Sequence, residues 1–175
     1  GFRRLIAVGT PADTALSEAA FVLRYRALQA LARIGVQSQA QTTLLKEVIT
    51  TGSDAVLRAA AVRVLATFPV EDAASKELLR HAVADADPGV RIATAGVLAQ
   101  RKDATAVQLS EHLLQSDRWP PVRRASLVAR TSQCGASNVG AVPAIRAAVS
   151  DEDETVRRLA LTGLARCEGA GAVEI

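Results

Sequence analysis

Few side chains in this sequence are equipped for chemistry: the histidines His81 and His112, the cysteines Cys134 and Cys167, and arginines that recur at near-constant intervals. Imidazole beside carboxylate can hold a metal with an open position. Glu47, His81 and His112 share one column when the helical segments described below are aligned. That correspondence runs between helices rather than within one, which sets the ring nitrogens too far apart to share an ion, so neither a metal site nor a cofactor is expected. The cysteines sit among small residues with no histidine near them in sequence, and neither reads as an activated nucleophile. Two cysteines are too few for a disulfide framework and lack zinc-type spacing. Neighbouring helix axes lie roughly 8–10 Å apart, whereas a bridge wants Cα atoms about 4.4–6.8 Å apart. Buried thiols are therefore expected rather than a bridge. No GxSxG, P-loop, GxGxxG or HExxH pattern occurs, so no catalytic residue is assigned and the chain is not expected to be an enzyme.

The arginines carry more information. Arg24, Arg58, Arg91, Arg123 and Arg157 lie at the hinge of five related phrases, VLRYRALQAL, VLRAAAVRVL, GVRIATAGVL, PVRRASLVAR and TVRRLALTGL, spaced 34, 33, 32 and 34 residues apart. A fixed period in this range marks a repeat architecture, whose units bury their apolar faces by stacking on one another. The third copy shows how one unit reads. Asp87 and Pro88 open a helix, Val90, Ala93, Ala95, Val97 and Leu98 give it an apolar stripe, and the polar run Gln100 to Asp103 ends it. A second helix follows, with Val107, Leu109, Leu113 and Leu114 as its apolar members. First helices are predicted near 18–34, 54–67, 88–100, 120–132 and 153–166, and second helices near 38–50, 72–84, 104–116 and 139–149. The fold class is all-α: a right-handed α-solenoid of about five helical hairpins in one domain. The repeats run 18–52, 53–86, 87–118, 119–152 and a partial 153–175. Residues 1–17 read as an N-terminal cap or the end of a preceding repeat, and GAVEI as the opening of a further second helix.

Composition agrees with helices packed through small side chains: 49% of residues are hydrophobic but only 3% aromatic. The net charge of +3, from 21 basic and 18 acidic residues, gives little long-range pull on nucleic acid or an anionic surface. No apolar stretch approaches the roughly 18 residues a membrane span needs. A soluble, cytoplasmic chain without membrane insertion is expected.

The acidic turn followed by VR and spaced Ala and Leu, as in DADPGVRIATAGVL and DEDETVRRLALTGL, resembles the short HEAT-like repeats of the phycobilisome-lyase type across roughly residues 18–170. The resemblance implies an α-solenoid whose second helices line a concave surface. It implies roles ranging from scaffold and adaptor to chromophore lyase.

Two surfaces are singled out. Aligned second helices give the columns Lys46, Arg80, Glu111, Arg146 and Glu47, His81, His112, Ala147, which by resemblance run along the groove. Long charged side chains between apolar pairs suit an extended or helical protein or peptide partner of mixed charge. The function expected is therefore a non-catalytic protein-binding scaffold or adaptor. The alternatives are a nucleic-acid-binding module using the basic residues Arg118, Arg123, Arg124, Arg130 and Arg158, with Arg146 beside them, or a lyase-like protein of the same repeat family. The ladder arginines themselves are expected to pair with turn acids, since Asp54, Asp87 and Asp153 precede them by four residues and Asp85, Asp117 and Asp151 by six.

Overall fold

The computed structural model describes residues 14–36, 38–134 and 141–172. Every regular element among them is helical. The helices are α1 (Thr14–Ile34), α2 (Gln39–Thr51), α3 (Ala55–Val64), α4 (Ala73–Ala82), α5 (Pro88–Leu98), α6 (Ala104–Ser116), α7 (Pro120–Ser132), α8 (Ala141–Ala147) and α9 (Glu154–Ala172), with 3-10 turns at Leu65–Thr67 and Ala148–Ser150. These match the predicted hairpins to within a few residues. The cap expected at the N-terminus lies largely outside the described residues, as do residues 139 and 140 of the second helix expected over 139–149. At the other end, α9 continues unbroken to Ala172, so residues 171 and 172 extend a first helix instead of opening a second one.

The boundaries follow from local chemistry. Asp54 accepts hydrogen bonds from the N–H groups of Val56 and Leu57, Asp103 from those of Thr105 and Ala106, and Asp72 from that of Ser75, satisfying donors that a helix start leaves orphaned. α7 has no side-chain cap and starts on Pro120 and Pro121, whose missing N–H groups cost nothing there. α1 ends on Gly35, with φ of 77°, whose N–H reaches Leu31 O at 2.9 Å; a side chain would be strained in that conformation.

The chain forms two compact units, residues 1–94 and 95–175, with the boundary inside α5. In the first unit α1 packs on α3 and α2 on α4, so first helices make one layer and second helices another. Its core is built from Leu28, Leu31, Leu45, Ile49, Val62, Leu65 and Leu79. The second unit repeats this plan, with α7 against α9 and α6 against α8, around Leu114, Leu127, Ile145, Val156 and Ala160. Small residues let these helices approach closely. At Gly163 of α9 a Cβ would lie 2.7 Å from Thr131 Oγ1 on α7, too near for any larger residue without a shift.

That approach overturns the expectation of free thiols. One turn beyond Gly163, Cys167 is joined to Cys134 in a disulfide with Cα atoms 5.4 Å apart. The usual inter-axial distance does not apply, because glycine brings α9 in and Cys134 has already left the end of α7.

Candidate functional site

The acids of each turn divide their work by position. The aspartate four residues before a ladder arginine caps its helix: besides Asp54, Asp87 accepts from Gly89 and Val90, and Asp153 from Val156. The aspartate six residues before does two other things. Its carbonyl serves its own arginine, with Arg91 Nη1 donating to Asp85 O at 2.7 Å and Arg157 Nη1 to Asp151 O at 2.9 Å. Its carboxylate serves the arginine of the preceding repeat, bidentately: Arg58 Nε and Nη2 meet Asp85 at 2.7 and 2.8 Å, and Arg123 Nε and Nη2 both meet Asp151 at 2.8 Å. Such a link runs through Arg58, Asp85 and Arg91 in the first unit and through Arg123, Asp151 and Arg157 in the second. Planar guanidinium matches carboxylate and carbonyl oxygens at once, which lysine does not.

Burial alone would push the Asp85 and Asp151 carboxyls up. The hydrogen bonds from Arg58 and Arg123, those from the backbone N–H groups of Asp87 and Asp153, and the nearby positive charge outweigh burial and hold both below the usual carboxylate range. The Arg58 and Arg123 guanidinium groups are correspondingly raised by the hydrogen bonds they donate to Asp85 and Asp151.

Beside each link lies a cleft of similar build. In the first unit it measures about 550 Å³ between the C-terminal ends of α2 and α4, lined by Ile49, Thr51, Arg58, Arg80, His81 and Asp85. In the second it measures about 490 Å³ between the ends of α6 and α8, lined by Leu114, Arg118, Arg123, Ala147, Asp151 and Glu152. An arginine–aspartate pair forms part of the wall of both.

A family profile described as HEAT repeats matches residues 42–130, from α2 into α7. The chain belongs to the HEAT-repeat family. Its hairpins also resemble those in the crystal structure of an engineered protein from a structural genomics consortium. That similarity has a TM-score of 0.54 at 20% identity and covers 97% of this chain and 80% of the other; at that identity the likeness concerns the fold alone. No curated protein matches the sequence.

Within the HEAT hairpins, the predicted columns divide between the units. Lys46 and Glu47 on α2 and Arg80 and His81 on α4 are exposed on the second-helix layer of the first unit. His112 on α6 and Arg146 and Ala147 on α8 are exposed on that of the second, with Glu111 half-buried. Among the described residues no group of three His, Cys, Asp or Glu side chains converges as a metal site would require. No described helix is long and apolar enough to cross a membrane.

The proposed basic patch needs correction. Arg123 is buried and its charge is taken up by Asp151 and Glu152. Arg130 is fully buried, donating from Nη1 to Gln133 Oε1 at 3.1 Å with Nη2 3.5 Å from Glu111 Oε2. Neither presents charge to solvent. Arg118 and Arg158 are exposed, and Arg124 is half-buried. The Arg118 guanidinium lies 5.8 Å from the ring centroid of Trp119, itself 44% exposed.

Arg130 also reveals a feature that was not anticipated. Seven residues beyond the other ladder arginines stand Leu31, Leu65, Leu98 and Leu164. In the second-helix alignment Ser110 likewise replaces Leu45, Leu79 and Ile145. The two departures meet: Ser110 Oγ donates to Gln133 Oε1 at 3.0 Å, the same oxygen that Arg130 uses, and Gln133 Nε2 donates to Leu98 O at 3.0 Å. The signal was present in the sequence as paired breaks in two apolar columns.

Proposed function

We propose that this HEAT-repeat chain is a non-catalytic protein-binding scaffold that takes its partner on the exposed face of the second-helix layer. The observation that carries this reading is the recurrence, in both units, of a cleft beside an arginine–aspartate link, edged by exposed charged side chains of the aligned columns. The arginine links hold the turns at the cleft walls, which spares the surface the ordering cost that weakens association. Arg80, His81, Arg118 and Glu152 around apolar and small residues suit a protein segment of mixed charge that inserts apolar anchors and pairs its charges at the rim. Burial of Arg123 and Arg130 takes two of the five cations away from a nucleic-acid surface, which favours the protein partner.

Charge reversals Arg80→Glu and Arg146→Glu test it. Partner retained on the immobilised protein is quantified beside far-UV circular dichroism. Each reversal is expected to lower retention several-fold with unchanged helicity. Full retention by both variants refutes the assignment of this face.

A further inference from the structure

The Cys134–Cys167 bridge lies away from the clefts, and the ladder does not use it. The two halves of α9 are held by different means. Val156 and Ala160 are buried, Leu159 packs against them, and Arg157 clamps the preceding turn through Asp151 O and Glu152 O. Beyond Ala160 the helix offers much less. Leu161, Thr162, Ala165 and Arg166 are exposed, Gly163 has no side chain, and Leu164 reaches the core cluster only as a half-buried side chain. Cys167 alone among the described side chains of that stretch is both buried and apolar, and it is covalently tied to the residue just past the end of α7. The two cysteines also differ in burial. Cys167 is 8% exposed, whereas Cys134 is only partly buried.

We propose that Cys134 is a thiol-exchange site for low-molecular-weight thiols of the glutathione class, and that exchange there releases the C-terminal half of α9 while the rest of the unit stays folded. The thiolate of the small thiol attacks Cys134 Sγ. A new sulfur–sulfur bond forms to Cys134, the bond to Cys167 breaks, and its electron pair leaves on Cys167 Sγ, which takes a proton from water. A second thiolate attacking the mixed disulfide releases the oxidised small thiol and leaves both cysteines reduced. Attack falls on Cys134, the less buried of the two residues, because exchange needs access to the sulfur. Release stays local because the N-terminal half of α9 keeps its buried Val156 and Ala160 and its arginine clamp.

The test treats the oxidised full chain with reduced glutathione, quenches by alkylation, and maps the adducts by peptide mass spectrometry. Hydrogen exchange is then compared between oxidised protein, protein reduced by a phosphine, and the Cys134→Ser plus Cys167→Ser double variant. The glutathione adduct is expected on Cys134 with alkylation on Cys167. Amides of Leu164–Ala172 are expected to exchange roughly tenfold faster or more once the bridge is gone, while those of Val156–Ala160 and of α7 change little. An adduct chiefly on Cys167, exchange unaltered by loss of the bridge, or acceleration spread equally over α7 and α9 overturns the proposal.

Discussion

Replacing Arg130 by leucine should stabilise the protein, although it deletes a buried cation with several partners. The guanidinium is completely excluded from solvent, and burial pushes its pKa down against the opposing pull of Glu111. The Glu111 carboxylate oxygen that faces it is 3.5 Å away on a side chain that is 39% exposed. Coulombic return on such a pair is therefore modest, while desolvation of the cation is nearly complete. Buried ion pairs exchanged for apolar groups of similar size are commonly neutral or gain about 1–4 kcal/mol. Leucine is the residue that the other repeats carry at this position. In Arg130→Leu, Gln133 Oε1 still accepts from Ser110 Oγ, and Glu111 can turn toward water. The smaller side chain leaves some space, which costs about 1 kcal/mol. The net expectation is a gain of about 1–2 kcal/mol, or roughly 2–8 °C in Tm for a chain of this size. Urea denaturation followed by far-UV circular dichroism, with the disulfide intact, measures it. Glu111→Gln supplies the contrast, since it leaves the buried cation without its carboxylate and should cost about 1 kcal/mol for a pair so exposed on one side. In the Arg130→Leu background the same change should cost almost nothing. Destabilisation of more than about 2 kcal/mol by Arg130→Leu would refute this reasoning and make the guanidinium a net contributor to the core.

Other perturbations test the link residues and the close helix approach. Asp85 and Asp151 have folded-state pKa values below their unfolded ones, so their stabilisation is complete above the unfolded value near ~4 and is lost as pH falls through the lower folded values; denaturation midpoints should fall steeply only below about pH 4. Asp151→Asn keeps an acceptor for Asp153 N–H but loses the charge facing Arg123, and should cost about 1.5–3 kcal/mol at pH 7 while flattening that acid limb. Gly163→Val drives a side chain into Thr131, costs about 1–3 kcal/mol of overpacking, and should raise the fraction of free thiol found by thiol titration after air oxidation. Asp54→Ala removes the cap of α3 and should cost about 1 kcal/mol, measured by thermal denaturation.

The helices were legible because their start signals are local: an aspartate at the right place caps a helix, and a proline pair opens one, whatever lies beyond it. The arginine links were legible in kind, since an aspartate stands four or six residues before each of Arg58, Arg91, Arg123 and Arg157. Their division of labour was not, because only the fold shows that the carboxylate six residues back turns toward the preceding repeat. Arg130 was misplaced for a different reason. Its charge and its nearness to Arg118 and Arg124 point to the surface, whereas its column position beside Leu31, Leu65, Leu98 and Leu164 assigns it to the core. The disulfide depended on Gly163, whose missing side chain changes an inter-helix distance that sequence spacing alone leaves at its average. The charged columns were aligned by the period and set along a groove by resemblance alone; in the structure Lys46, Glu47, Arg80, His81, His112, Arg146 and Ala147 are exposed and Glu111 is half-buried.

The most direct measurement of the scaffold assignment is site-specific photo-crosslinking in the native setting. A photoreactive residue is placed at Glu77 or Ala147, both exposed on second helices, and at Arg63 or Val128, both exposed on first helices. Crosslinks to a common protein partner from positions 77 and 147, and none from 63 and 128, are predicted. Crosslinks confined to positions 63 and 128 would contradict it.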